Sequence, residues 1–414
     1  MNAKKEKKLL KQGELLVIAK EYEKAMKLFR RVAKTGSLAA QCWIARVYME
    51  LGDYERGWYL FQDAKEKGCL DGDWGIATCY YKGWYAAKDE AKAARLWADT
   101  AEKGHARSQN SLAVCYNCGY GVEKNVELAF AWCMKAAKQG YMGAQCNLAS
   151  IYYNGVVGEK NYAEAVKWLT LSAEQGYPKA QYHLGFCYDH GTGVAVNMKE
   201  AIKLYLKSAK QGYVKAQYAL GTCYSQGIGV AKNFKKAAQW YHLAAEQGHA
   251  QAQFHLGVCY AEGRGVPLDF QQAFVWFEKS AVQGVASAQF NAALFWSQGQ
   301  GTRKDLVQAA KWYLKAAEQG HAEAQNNLGA CYLDGEGVPY NAREAVKWYE
   351  KAALQGYARA QYNLAKCYEK GQGVPQSYVN AMKWYSLASG QNYADAAKRY
   401  EEMKLLAPKE LFRW

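Results

Sequence analysis

The sequence predicts an all-α fold: a right-handed α/α superhelical solenoid of about eleven helical hairpins plus a C-terminal capping helix. Three observations carry that expectation. Cysteines recur in register at Cys79, Cys115, Cys187, Cys223, Cys259, Cys331 and Cys367, always separated by multiples of 36 residues, with Ile151 and Phe295 in the two remaining slots. An aromatic residue follows every slot, from Tyr80 to Tyr368, Trp296 included. A glycine closes each period, from Gly104 to Gly356. Self-similarity at a fixed period of this length marks stacked supersecondary units.

Residues 1–68 read as two tetratricopeptide-like hairpins with short loops. Twelve residues lead from Gly13 to Ala25, and from Ala45 to Gly57, where most later units have sixteen. Residues 69–392 hold nine units of 36. In the unit 321–356, Ala324, Leu328, Cys331 and Tyr332 fall at i, i+4, i+7 and i+8, one helical face. Ala345, Trp348, Tyr349, Ala352 and Ala353 repeat that pattern in a second helix. Gly335 and Gly337 break the chain between the two, and Gly356 ends the second in a left-handed cap. After Leu328 comes Gly329, and its counterparts Gly185, Gly221, Gly257, Ala293 and Ala365 are all small, which lets helices pack closely. Residues 393–414 supply a further helix, stopped by Pro408, as a C-terminal capping helix and tail. No linker interrupts the array, so one continuous solenoid is expected.

Half of the 414 residues are apolar and 14% are aromatic, enough for a large core and too much for a disordered chain. The longest apolar run near the start, Leu15 to Ala19, is too short for a signal-peptide core. No run approaches the roughly eighteen apolar residues of a membrane span. A cytoplasmic location is therefore expected, with export by a specialised secretion system left open. Twelve cysteines without an export signal read as thiols. The net charge of +15 invites a nucleic-acid partner, but part of it is local: residues 1–36 hold eleven Lys or Arg against four acidic residues.

The stretch KAQYALGTCYSQGIGVAKNFKKAAQWYHLAAEQG (215–248) resembles the Sel-one-like repeat, a relative of the tetratricopeptide repeat with a longer loop between its helices. Nearly every unit over roughly 69–392 shows Ala-Gln, Leu-Gly/Ala, Tyr, Gly-x-Gly-Val, Trp-Tyr and Ala-Ala in register. NGVVGEKN at 154–161 and KGWYAAKDE at 82–90 depart from it in their glycines. The resemblance implies an α/α superhelix that binds proteins as an adaptor, not an enzyme; a protein or peptide partner, a monomer and no cofactor are expected. A cysteine-rich bacterial branch of this family, linked to penicillin binding and β-lactamase activity, pairs cysteines within each repeat and is exported. This chain shows neither feature.

Motifs that resemble chemistry are repeated here, which argues for architecture. A cysteine nucleophile needs a lowered pKa and a partner base, and occurs once. These thiols recur on an apolar face and give way to Ile or Phe. Stacked hairpins place equivalent residues ~8–10 Å apart, beyond the ~7 Å that a disulfide spans. Gly-x-Gly loops follow helices rather than strands and recur from Gly119 to Gly371, so they are turn glycines, not phosphate loops. His183, Cys187 and His190, at i, i+4 and i+7, could present three ligands to zinc, but Cys187 is an in-register core residue. No metal is expected.

Two surfaces remain for a partner. Lys167, Lys203, Lys311, Lys347 and Lys383 form a ladder on the second helices, with Lys207, Lys315 and Lys351 four residues on. A solvated convex ridge without interleaved aromatics is expected, and RNA phosphate contact is the alternative. After each Ala-Gln comes Tyr182, Tyr218, Phe254, Phe290, Asn326 or Tyr362, a stripe on the concave side, with Phe186 four residues beyond Tyr182. These seven residues are the expected partner-binding set. The rings either anchor a bound segment or pack between hairpins.

Overall fold

The helices follow from the apolar stripes, and the glycines set where each one ends. The computed structural model describes residues 2–406, and among these are 23 helices and no strand. Contacts divide the chain into two compact units. The first runs to Cys223 and includes Gly227–Ala231; the second takes Tyr224–Gln226 and continues from Lys232.

Within the first lie α1 (Ala3–Ile18), α2 (Tyr22–Ala33), α3 (Leu38–Glu50), α4 (Tyr54–Glu66), α5 (Leu70–Lys82), α6 (Glu90–Glu102), α7 (Ala106–Cys118), α8 (Val126–Lys138), α9 (Met142–Asn154), α10 (Tyr162–Glu174), α11 (Pro178–His190), α12 (Met198–Lys210) and most of α13 (Val214–Gln226). To the second belong α14 (Phe234–Glu246), α15 (Ala250–Glu262), α16 (Phe270–Val282), α17 (Ala286–Gln298), α18 (Leu306–Glu318), α19 (Ala322–Asp334), α20 (Ala342–Leu354), α21 (Ala358–Lys370), α22 (Tyr378–Ser389) and α23 (Ala394–Leu406). Each unit is a stack of antiparallel hairpins. Pro408, expected to stop the last helix, lies outside the described residues.

One hairpin shows the construction. The α19 helix ends at Gly335, whose φ of 71° is the left-handed conformation that glycine adopts without strain. The α20 helix opens on Asn341, whose Oδ1 accepts from the Glu344 amide at 3.1 Å. Between them, Gly337 lies so close to the Leu306 carbonyl of the preceding hairpin that a Cβ would collide with it. The second glycine of Gly-x-Gly is thus a stacking residue as well as a turn residue. Gly329 is small for a related reason: a Cβ there would come within 2.7 Å of the Tyr349 ring. That ring fills the hairpin core, as Tyr205, Phe277, Tyr313 and Tyr385 do in theirs.

A ladder of buried glutamines binds hairpin to hairpin. In the 36-residue repeats the Gln of Ala-Gln donates its amide back to the carbonyl of the preceding second helix: Gln181 to Ala173 at 3.3 Å, Gln289 to Ala281 at 3.1 Å, Gln325 to Ala317 at 3.0 Å. Its Oε1 accepts from a glutamine thirty residues on, as Gln181 does from Gln211 at 2.9 Å and Gln289 from Gln319 at 2.7 Å. Gln181 and Gln289 therefore have partners on both ends of the amide, as burial requires.

The first helix is not a simple end cap. Its C-terminal half lies across the starts of later first helices in the same unit. Lys11 donates to the Gln175 side chain at 2.8 Å. Glu14 pairs with Arg107 at 3.6 Å, and Arg107 with Asp71 at 2.5 Å. Their side chains are only 12%, 18% and 17% exposed. Burial works to raise the Asp71 carboxyl, yet Arg107 and His105 together hold it down to about 2. Burial pushes the Glu14 carboxyl up, with Arg107 pulling against it. At the other end, α23 covers the last hairpin with Ala396 and Met403 and ties to it through Arg399 and Glu369.

Candidate partner-binding groove

The rings at 182, 218, 254, 290 and 362 are half-buried and lean on the fold. Tyr182 packs on Tyr205 of α12 at 5.7 Å and on Tyr213, just ahead of α13, at 5.4 Å. Phe290 packs on Tyr313 at 6.0 Å and stacks on His321 at 4.8 Å. Tyr362 repeats the arrangement with Tyr385 and Tyr393, and Phe254 packs on Phe277. Tyr218 is likewise half-buried. Each ring thus contributes to packing and is still partly exposed.

Asn326 departs from its expected role. It is only 2% exposed. Its amide donates to Asn327 at 3.1 Å, and its Oδ1 accepts from Asn363 of the next first helix at 2.9 Å. Lacking a ring, the side chain sinks between helices and its amide is spent there. The sequence carried a sign of this: Asn110, at the equivalent position, accepts from Asn147 at 2.9 Å with the same spacing of 37.

Tyr182 and Phe186 come together in a cavity of about 320 Å³ in the first unit. Its origin lies in the sequence. On α11 the wall carries rings; on α9 the matching residues are Cys146, Ala149 and Ser150, too small to fill the space. Leu169 of α10 makes the floor apolar. Lys179 and Lys215, from the starts of α11 and α13, also line it, with His183 beside them. Burial, aided by these two lysines, lowers His183 to about 4, so it is neutral near pH 7. A second cavity of about 210 Å³ adjoins the first, shares Ser150 and Asn154, and extends over α7 through Val114 and Asn117. Phe254, Phe290 and Tyr362 lie in the second unit, each on its own helix.

The other motifs resolve as structure. All twelve cysteines are free, and six of the seven in-register ones are buried, Cys331 partly so. Burial pushes Cys187 up to about 11 and Cys79 up to about 12, the opposite of a nucleophile. Cys69 differs: its interaction with the neighbouring Cys42 thiol works to lower it, the reverse of the in-register thiols. His190 lies over the Phe186 ring and directs Nδ1 to the Phe186 carbonyl at 3.1 Å, while Cys187 is buried in the core. Among the described residues no group of three or more His, Cys, Asp or Glu is placed to hold a metal ion.

The lysine ridge requires a correction. Aromatics are interleaved with it after all. Lys315 lies over Trp312 at 4.2 Å and Lys351 over Trp348 at 3.9 Å, and Lys135 and Lys279 do the same with Trp132 and Trp276. The spacing of three residues on a helix makes each pair neighbours. Lys167, Lys203 and Lys347 instead pair with Glu164, Glu200 and Glu344.

Stacked helix hairpins with a groove over their first helices define a helical-repeat protein. Nine consecutive segments, 72–105, 106–141, 143–177, 178–213, 214–249, 250–285, 286–321, 322–357 and 358–393, match the Sel1 repeat, and the chain belongs to that family. It is similar to the crystal structure of c5321, a protective antigen present in uropathogenic Escherichia coli strains that displays an SLR fold: 30% identity, TM-score 0.70, covering all of this chain and 92% of that one. It is also similar to a Sel1 repeat protein from Oxalobacter formigenes, at 35% identity and TM-score 0.52, over 59% of this chain and 96% of that one. No curated protein gives a significant match. No helix among the described residues is long and apolar enough to cross a membrane.

Proposed function

We propose that the chain is a non-enzymatic scaffold that binds an extended segment of another protein along the face of its first helices. The observation that carries this reading is the pair of adjoining cavities over α7, α9 and α11. Repeat proteins hold their framework constant for stacking and vary the side chains of one face for recognition. Here the framework of Gln, Gly and core rings is regular, whereas residues four beyond the stripe are Ser150, Phe186, Thr222 and Val258. Tyr182, Phe186 and Tyr218 are the contacts in the first unit, and Phe254, Phe290 and Tyr362 hold the equivalent places in the second, taken by itself. Half-buried rings suit it, because a ring already fixed by its neighbours loses little entropy on binding. Twelve free thiols, most of them buried, fit a reducing compartment, and we place the chain there.

Affinity capture with the full chain tests the reading. Ser150 is exposed, so Ser150→Trp should fill the groove and leave the core intact. Capture of a defined set of proteins by the native chain, lost with Ser150→Trp at an unchanged melting temperature, is the expected result. Retention of the same set by the variant would sink the groove.

A further inference from the structure

The charge of the groove specifies more than its shape does. Lys179 and Lys215 hold equivalent places thirty-six residues apart, at the second position of α11 and α13. The same place in other repeats is Arg107, Gly143, Gln251, Ser287, Glu323 or Arg359, and Asp71 ahead of them, so stacking does not demand a lysine there. Both lysines line the 320 Å³ cavity, and no carboxylate does. Among the described residues neither makes an ion pair with an acidic side chain, unlike Lys167, Lys203 and Lys347 on the outer ridge. His183 between them is neutral, pushed there by burial and by the two ammonium groups. Two positive charges therefore stand at one end of an apolar trough whose low-dielectric walls strengthen their field.

We propose that this trough takes a peptide segment in which a large apolar residue sits beside an aspartate or glutamate. The apolar side chain enters between Ala149, Leu169 and Phe186. The carboxylate reaches Lys179 and Lys215. The volume lies near the lower end of the ~300–1,000 Å³ of ligand sites, the size of a short segment rather than of a large cofactor. The segment is internal to its protein rather than a C-terminus, because the trough does not close. It continues past Ser150 and Asn154 into the uncharged second cavity, lined by Val114, Ile151 and Val156, where a second apolar side chain is accommodated. The motif read out is thus acidic at one end and apolar at two points. It rests on the groove reading above and assigns the partner's chemistry.

An array of short peptides, N-acetylated and C-amidated so that they carry no terminal charge, tests it with the full chain. Each peptide places two Phe or Leu residues at varied spacing in a Gly/Ser background, with Asp, Asn or Lys beside one of them. Asp peptides are expected to bind roughly tenfold more tightly than their Asn twins, as a charge-assisted contact in a desolvated site allows. That preference should vanish in a Lys179→Gln, Lys215→Gln double variant and persist in a Lys311→Gln, Lys347→Gln control. Ser150→Trp should abolish binding of both twins. Equal binding of Asp and Asn peptides, both still blocked by Ser150→Trp, overturns the carboxylate assignment and leaves the groove standing. Binding indifferent to Ser150→Trp, or no binding at all, overturns the groove and this inference with it. Single-stranded poly(U) bound through Lys179 and Lys215 in place of peptide also overturns it.

Discussion

A buried glutamine in eight of the nine matched repeats looks at first like a cost, since an amide loses water on burial. The ladder offsets it, because each amide has a donor and an acceptor partner in fixed positions. In Gln289→Ala the Ala281 carbonyl and the Gln319 amide each lose a partner. A loss of about 1–3 kcal/mol in urea unfolding is expected. The Ala-Gln pair was visible in the sequence, but its role was not. The donor to the Gln289 Oε1, Gln319, lies thirty residues away, and nothing in periodicity links the two. Thiols carry a second prediction: in native protein iodoacetamide should label exposed Cys118 and low-pKa Cys69 first, and the buried in-register cysteines only on unfolding. Histidines carry a third. His183, His255 and His321 are all lowered by burial, so between pH 6.5 and about 4 the unfolded chain binds protons that His183 refuses. Stability therefore falls as pH falls through that window. The drop in urea midpoint from pH 7.5 to 5 should be smaller in His183→Gln than in the native chain. Glu14, whose raised carboxyl works in the opposite direction, is common to both. An equal drop would show that His183 is not the group that titrates.

At the scale of helices and loops, spacing made the hairpins legible because a glycine has only a few reasons to recur. The two glycines of Gly-x-Gly turn out to have different ones. Gly335 supplies a left-handed cap, and Gly337 adds a close approach to Leu306. Gly356 also has positive φ, at 87°, but a Cβ there meets nothing within 4 Å. Gly356→Ala should therefore cost about 1–2 kcal/mol, the strain of a left-handed alanine, and Gly337→Ala distinctly more, because a backbone carbonyl must also move. Equal melting temperatures for the two variants would refute the stacking role. The first helix was harder to read. The sequence showed its excess of Lys and Arg, but Glu14 is buried against Arg107, a contact across 93 positions that no local pattern encodes. The groove was half legible for the same kind of reason. Rings at 182 and 186 could be read from the sequence, but the cavity comes from what is missing at 146 and 150, and a gap shows only once two helices are side by side.

For the whole chain, the question is what a net charge of +15 is for. Phosphate is one answer, and tryptophans among the lysines would favour it, since bases stack on such rings. Geometry turns the observation the other way. Four of the tryptophans already carry a lysine on their face at 3.9 to 4.2 Å, so ring and ammonium satisfy each other. Three more lysines of the ridge are paired with glutamates. Lysines engaged in this way are already satisfied by rings and carboxylates of their own helices, which leaves few of them to organise a phosphate track. The prediction is one of salt dependence. A site neutralising six or more phosphates loses roughly a thousandfold in affinity between 50 and 200 mM salt. Poly(U) binding by the full chain should be weak at 50 mM salt, and Lys311→Gln with Lys347→Gln should leave it unchanged. Fluorescence anisotropy of labelled poly(U) across that salt range measures both. Tight binding with the steep slope, reduced by those two substitutions, would make the ridge a nucleic-acid surface and the groove secondary.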